Sequence, residues 1–240
     1  MTTQDMNALR RLVSDACRVL AARGLADGIL GHISLRVDER TLLVRCRGRR
    51  ERGLLYTGPD DIRLVDLDGA AAAPGELDGW AVPNELPLHT EVLRTRPDVA
   101  CVVHAHPPAV VAADLAGLGI RPVIGAFDIP GTRLAARGVP VYPRGVLIRN
   151  RRLAAGMGAA LGDHDAVVLR GHGLTTTGAS VPEAVLRAIS VDTIARLSLD
   201  VVKAGGTLRD LPEEDMRELP DLGGSFNHDT AWRHEIARLG

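Results

Sequence analysis

The sequence predicts one α/β domain. Three observations point there. The chain has 240 residues, 45% of them hydrophobic, which is ample for a sizeable core. Helix-period and strand-period segments are interleaved along it without a strict strand–helix–strand repeat. No Pro/Ser/Gly-rich linker and no internal repeat divides it.

Residues 4–23 predict an amphipathic helix, because Leu9, Leu12, Val13, Ala16, Val19 and Leu20 recur at helical spacing and Gly24 stops the run. GHISLRV and TLLVRCRG read as strands joined by the turn DER. LLYTGPDDIRLVDLDG reads as strand, Gly-Pro turn and second strand, with Asp60 and Asp61 capping the segment after the turn. NELPLHTEVLRTRPD is a predicted helix closed by Pro97. VACVVHAHPP is a buried strand and AVVAADLAG a helix; PVIGAF and VPVYP are short strands. NRRLAAGMGAAL is a helix, HDAVVLRGHGLTTTG a strand and turn, and SVPEAVLRAISVDTIARLSLDVVKAG a long helix. On that helix Asp192, Arg196 and Asp200 read as a solvated face. The last 35 or so residues are polar and rich in Pro and Gly, which predicts a loosely packed tail or a lid.

Composition excludes several function classes. A net charge of −1 gives no basic surface for nucleic acid or an anionic membrane. Aromatics at 2% leave no stacking platform for bases. Cys17, Cys46 and Cys101 are odd in number and form no CxxC pair, so a reducing, cytoplasmic setting is expected. The N-terminus has no uninterrupted apolar stretch, and no run approaches the roughly 18 apolar residues of a membrane span.

The chemistry concentrates at strand ends. On a strand, residues i and i+2 share a face, so His104 and His106 present two imidazoles together. That is half of a first-row metal site, or one structural and one exposed histidine. A second apolar strand ends at His172, between Gly171 and Gly173, where the backbone can turn sharply. Three imidazoles with an open position are a common build for a catalytic metal. Glu85 follows a proline at a helix start and supplies either an acid/base carboxylate or an ordinary first-turn acid. His89, one turn on, either orients Glu85 or faces solvent.

The segments G-x-x-GHISLR (Gly28 to Arg36), TGPDD, VPNE, VVHAHPP and RGHG stand in the order and spacing of the class II aldolase/adducin family. Over about residues 5–204 the chain resembles that family. The resemblance implies a three-layer α/β/α fold with a central, mostly antiparallel sheet, residues 1–204 forming the family domain and 205–240 its tail or lid. It implies a divalent metal ion (Mn, Zn, Co or Fe) on His104, His106 and His172, and a catalytic acid/base at Glu85. It also implies a homo-oligomer, with a tetramer favoured and active sites between subunits.

The departures from the family pattern bear on substrate. Sugar-phosphate aldolases of the family hold phosphate with an Asn in G-N-x-S, a Ser/Thr-Gly turn and a Ser-Ser pair before the catalytic Glu. Here His32 replaces the Asn and Pro83-Asn84 the Ser pair, leaving Ser34, Thr57 and Gly58. Donors are lost where a dianionic phosphate would need them. His32 can donate a hydrogen bond or a proton near pH 7, or cap a turn. Arg144 lies near the position of a family tyrosine that reaches a neighbour's site; it either clamps a carboxylate or is a solvated interface arginine.

GHIS together with P-N-E resembles the family's aromatic-acid decarboxylases, which act on hydroxylated ring dicarboxylates. The expectation is a metal-dependent C–C lyase that decarboxylates such an acid through a metal-stabilised enolate. Glu85 or His32 would protonate the carbon, while Ser34, Thr57, Gly58, Asn84 and Arg144 would bind the substrate. The alternatives are a sugar-phosphate aldolase, epimerase or dehydratase, an Fe(II)-dependent oxygenase on the same fold, and a non-catalytic adducin-like module. The last would not need the three histidines.

Overall fold

A computed structural model describes residues 2–240. Helix α1 (Thr3–Ala22) starts at a capping box: the Thr2 hydroxyl accepts from Asp5 N–H, and Asp5 Oδ2 accepts from Thr2 N–H. Its buried face is Val13, Ala16, Cys17, Val19 and Leu20. Strands β1 (His32–Arg36) and β2 (Thr41–Arg45) form a hairpin, and Asp38 Oδ1 accepts from Arg40 and Thr41 N–H in its turn. β3 (Arg47–Gly48) leaves the main sheet. The predicted LLY strand is instead a 3-10 turn, Leu54–Tyr56, entered at Gly53 with φ +98°, and β4 (Ile62–Asp66) comes after it.

Next come β5 (Trp80–Ala81), paired with β3, then α2 (Leu86–Thr95), β6 (Cys101–Ala105) and α3 (Pro108–Leu115). PVIGAF forms no strand. Pro122 lacks a donor, and the Ile124 carbonyl faces the Thr132 hydroxyl at 2.8 Å on α4 (Ile129–Arg137), a helix that the sequence pattern does not predict. Then come β7 (Val141–Tyr142), α5 (Arg151–Leu161), β8 (Ala166–Leu169) and β9 (Gly173–Gly178). The predicted turn GLTTTG is therefore a six-residue, fully buried strand, and three successive β-branched threonines suit it to that place.

Helix α6 (Val181–Lys203) buries Val185, Val191, Ile194 and Asp192, so Asp192 is not on a solvated face. It keeps Arg196 as its ion-pair partner at 2.5 Å. The chain ends with α7 (Glu213–Glu218), a π-helical turn (Ser225–Thr230) and α8 (Ala231–Ala237). α8 docks on α1 and α6, with Glu235 buried and ion-paired to Arg23 and with Trp232 and Ile236 against the core.

The seven-stranded sheet runs β4-β2-β1-β6-β9-β8-β7 and is antiparallel throughout except for the β7–β8 pair. One face packs on α1, α3, α4 and α6, the other on α2 and α5. The period-2 alternation of β6 divides it between them: Cys101, Val103 and Ala105 enter the first core and Val102 the second. Among the described residues, no helix is long and apolar enough to cross a membrane.

Candidate metal centre

The topology gathers the histidines. β6 and β8 are both antiparallel to β9, which lies between them, so they run parallel and end at the same sheet edge. β1 is antiparallel to β6, which sets its first residue, His32, directly opposite His104. On the other side His104 faces Thr175 of β9. His32, His104 and Thr175 thus form one row, on the face covered by α2.

Local backbone features hold the row's neighbours. His106 N–H donates to the Leu25 carbonyl at 3.0 Å, just before Pro107 turns the chain into α3. His172 lies in the β8–β9 turn, where Gly171 adopts φ +59°. A Cβ on Gly173 would lie 2.3 Å from the Ala105 carbonyl oxygen, so only glycine lets β9 start against the end of β6. Asp114 of α3 pins this turn, accepting from Gly171 N–H at 2.8 Å and from Arg170 Nε at 3.2 Å.

Four side chains converge: Glu85, His104, His106 and His172 each bring one donor atom within 4.8 Å of the other three. Glu85 is the N-cap residue of α2, yet its side chain caps nothing and turns into the cluster. Its Oε1 accepts from Ile148 N–H at 2.8 Å. Its Oε2 lies 3.3 Å from His104 Nε2, 3.6 Å from His172 Nε2 and 3.9 Å from His32 Nε2. Burial opposes ionisation of Glu85, but His104, His172 and the Ile148 amide outweigh it and hold the carboxyl well below the usual range. Burial, reinforced by His104 and His172, lowers His106 to about 3, leaving it neutral and able to ligate.

The donor set fits a divalent ion. His104 and His106 bring Nε2 to Nε2 at 3.0 Å. Bonds of about 2.0–2.1 Å in a tetrahedral site put neighbouring ligands roughly 3.3 Å apart, close to the 3.0 Å between these two imidazoles. His104 Nδ1 sits 3.2 Å from Thr175 Oγ1; with Nδ1–H donated there, the Nε2 lone pair is free to bind. His172 Nδ1 is buried with no hydrogen-bond partner among the described residues, while its Nε2 faces Glu85.

The remaining expected site residues fall in several places. His32 is buried beside the cluster. Ser34 is fully buried and contacts His89 Nδ1 at 2.7 Å. Thr57 is buried with its hydroxyl donating to the Leu54 carbonyl at 2.8 Å, and Gly58 N–H donates to Asp61 Oδ2 at 2.7 Å. Asn84 is exposed and borders a groove of about 390 Å³ with Asp68, Thr90, Arg94 and Arg151, which none of the four cluster residues lines. Arg144 is exposed, four residues before Ile148.

His89 neither contacts Glu85 nor faces solvent; it is fully buried between Ser34 and His32. Sequence reasoning missed Ile148, Thr175 and Asp114. Neither the Ile148 amide nor Thr175 carried a sequence signal, because the pairing of Thr175 with His104 is set by which strands neighbour each other in the folded chain.

Comparison with known proteins shows the family. The model for the class II aldolase and adducin N-terminal domain matches residues 11–199. A 3,4-dihydroxyphthalate decarboxylase of Arthrobacter keyseri is 72% identical over 96% of the chain and 93% of its own length. One from Rhodococcus jostii is 54% identical over 99% of the chain and 98% of its own. The crystal structure of an aldolase II superfamily protein from Pseudomonas syringae superposes with a TM-score of 0.81 at 20% identity, covering 100% of the chain and 94% of that protein, which shows the shared fold. With its sheet order, its histidine-carboxylate cluster and these relatives in agreement, the chain belongs to the class II aldolase/adducin family.

Proposed function

We propose that the chain decarboxylates a ring dicarboxylate bearing adjacent hydroxyls, of the 3,4-dihydroxyphthalate type, at a divalent ion held by His104, His106 and His172. The chain is an enzyme, a carboxy-lyase acting on an aromatic acid. The single observation that carries the finer reading is the convergence of Glu85 and the three imidazoles in a chain 72% identical to a named decarboxylase of that acid.

A bound ion would supply Lewis acidity toward the substrate's hydroxyl and carboxylate oxygens, lowering the cost of negative charge on the ring. The protein's own residues handle the proton. Ionised Glu85 accepts a proton from a ring hydroxyl as the substrate binds. As the bond to the departing carboxylate breaks, its electron pair returns to the ring carbon and carbon dioxide leaves. Glu85 then returns its proton to that carbon. His32, beside Glu85, takes part in holding the substrate. Arg144 and Asn84 are proposed for the retained carboxylate, since both are exposed and close in sequence to Ile148 and Glu85. Ser34 serves through His89, which engages its hydroxyl. Assembly into a tetramer with shared sites, and a cytoplasmic location, belong to the same proposal.

The test is carbon dioxide release from 3,4-dihydroxyphthalate, run without oxygen. Turnover is expected, lost on chelation and restored by Mn, Zn, Co or Fe. His172→Ala should lose about 10³-fold in kcat, from several kcal/mol of charge stabilisation. Absence of turnover together with cleavage of a sugar phosphate, or an absolute need for oxygen, would overturn the reading.

A further inference from the structure

His89 and Ser34 lie outside the cluster, yet both are fully buried and joined in a chain that ends on His32. Ser34 Oγ is 2.7 Å from His89 Nδ1, and His89 Nε2 is 2.7 Å from His32 Nδ1. One proton lies in each gap, so the chain runs in one of two directions. If it starts at Ser34, the hydroxyl donates to His89, His89 Nε2–H donates to His32, and His32 keeps its proton on Nε2. If it starts at His32, all is reversed and His32 Nε2 is a bare lone pair.

Two observations choose between them. His32 Nε2 faces Glu85 Oε2 at 3.9 Å, and both side chains are almost wholly buried. A carboxylate attracts N–H there and repels a lone pair. In the reversed direction the buried Ser34 hydroxyl would also need another acceptor, and among the described residues its one hydrogen-bond partner is His89 Nδ1. The Val102 carbonyl and the Glu85 carboxylate both favour a proton on the His89 ring, and neither selects which of its nitrogens carries it.

We infer that Ser34 and His89 are positioning residues that lock His32 as a neutral donor, with its Nε2–H aimed at the substrate's oxygens. This rests on the decarboxylase reading for the identity of the substrate. It divides the labour at the site: Glu85 moves the proton and His32 holds the oxygens. A neutral His32 whose only proton is on Nε2 would become an imidazolate if it gave that proton up, unless the chain shifted and left Ser34 as an alkoxide. Neither species is a reasonable product near neutral pH, so the wiring suits holding and not proton delivery.

The first measurement is the tautomer itself. In zinc-loaded enzyme with ¹⁵N-labelled histidine, long-range proton–nitrogen correlation spectra should show His32 and His89 both protonated at Nε2 only, with His32→Asn assigning the first ring. His32 protonated at Nδ1 overturns the inference. This readout needs no substrate, so failure to turn over 3,4-dihydroxyphthalate counts against the proposed function alone.

The second is kinetic. His89→Phe should lower kcat about 10–100-fold, with a smaller change in KM and unchanged zinc content. His89→Gln, which returns an amide N–H close to the place of Nε2, should recover about tenfold of that loss and restore the Nε2–H signal of His32. Wild-type kcat in His89→Phe, or a fall in kcat matched by loss of zinc, overturns it.

Discussion

At the residue scale, the centre depends on groups that hold the ligands as much as on the ligands. Thr175 Oγ1 lies 3.2 Å from His104 Nδ1, and a proton donated there would leave Nε2 free for the proposed ion. Thr175→Val keeps the shape and removes the acceptor. Metal affinity is expected to fall about 10–100-fold, measured by competition with a chromogenic chelator, while Thr175→Ser stays near wild type. Glu85 shows how a carboxylate in a buried place is kept charged: one oxygen takes the Ile148 amide and the other faces imidazoles. The histidine types at 104, 106 and 172 were legible in the sequence because spacing and strand ends are local properties. The partner of His89 was not, because α2 and β1 meet only in the folded chain.

At the element scale, the close approach of β9 to the end of β6 decides where His172 sits. A Cβ at Gly173 would collide with the Ala105 carbonyl, two backbone groups with no flexible end to yield. Gly173→Ala should cost roughly 1–3 kcal/mol, seen as a lower urea midpoint. It should also weaken metal binding in calorimetric titration, because the shift falls between His106 and His172. β9 itself reads as a turn from sequence, since GHG precedes it and threonines are neutral in pattern; pairing on both sides makes it a central strand. PVIGAF fails for the opposite reason. Its apolar run suits a strand, but Pro122 and the Thr132 hydroxyl of α4 take it out of any ladder.

At the scale of the whole molecule, two cores lie on either side of one sheet, and together they hold three buried thiols. Cys17 and Cys101 belong to the core under α1 and α6, and Cys46 to the core under α2 and α5. Burial pushes Cys17 and Cys46 up to about 12 and raises Cys101 as well. A thiol raised on folding stays protonated while its unfolded counterpart ionises above about pH 8.5, so its contribution to stability is full below that pH and lost as pH climbs toward 12. Each should cost about 2 kcal/mol at pH 10 relative to pH 8. Urea unfolding at the two pH values checks this, and Cys17→Ala should reduce the pH dependence by about a third. The sequence by itself determined the α/β class, the histidines at strand ends and the residue types at His32, Pro83 and Asn84, because these are matters of residue identity and local period. Tertiary structure alone decided that β6 and β8 end side by side, that Ile148 and Thr175 serve the site and that His89 wires Ser34 to His32. Those facts depend on which strands neighbour each other and which face α2 covers, and both are set by burial across the whole chain.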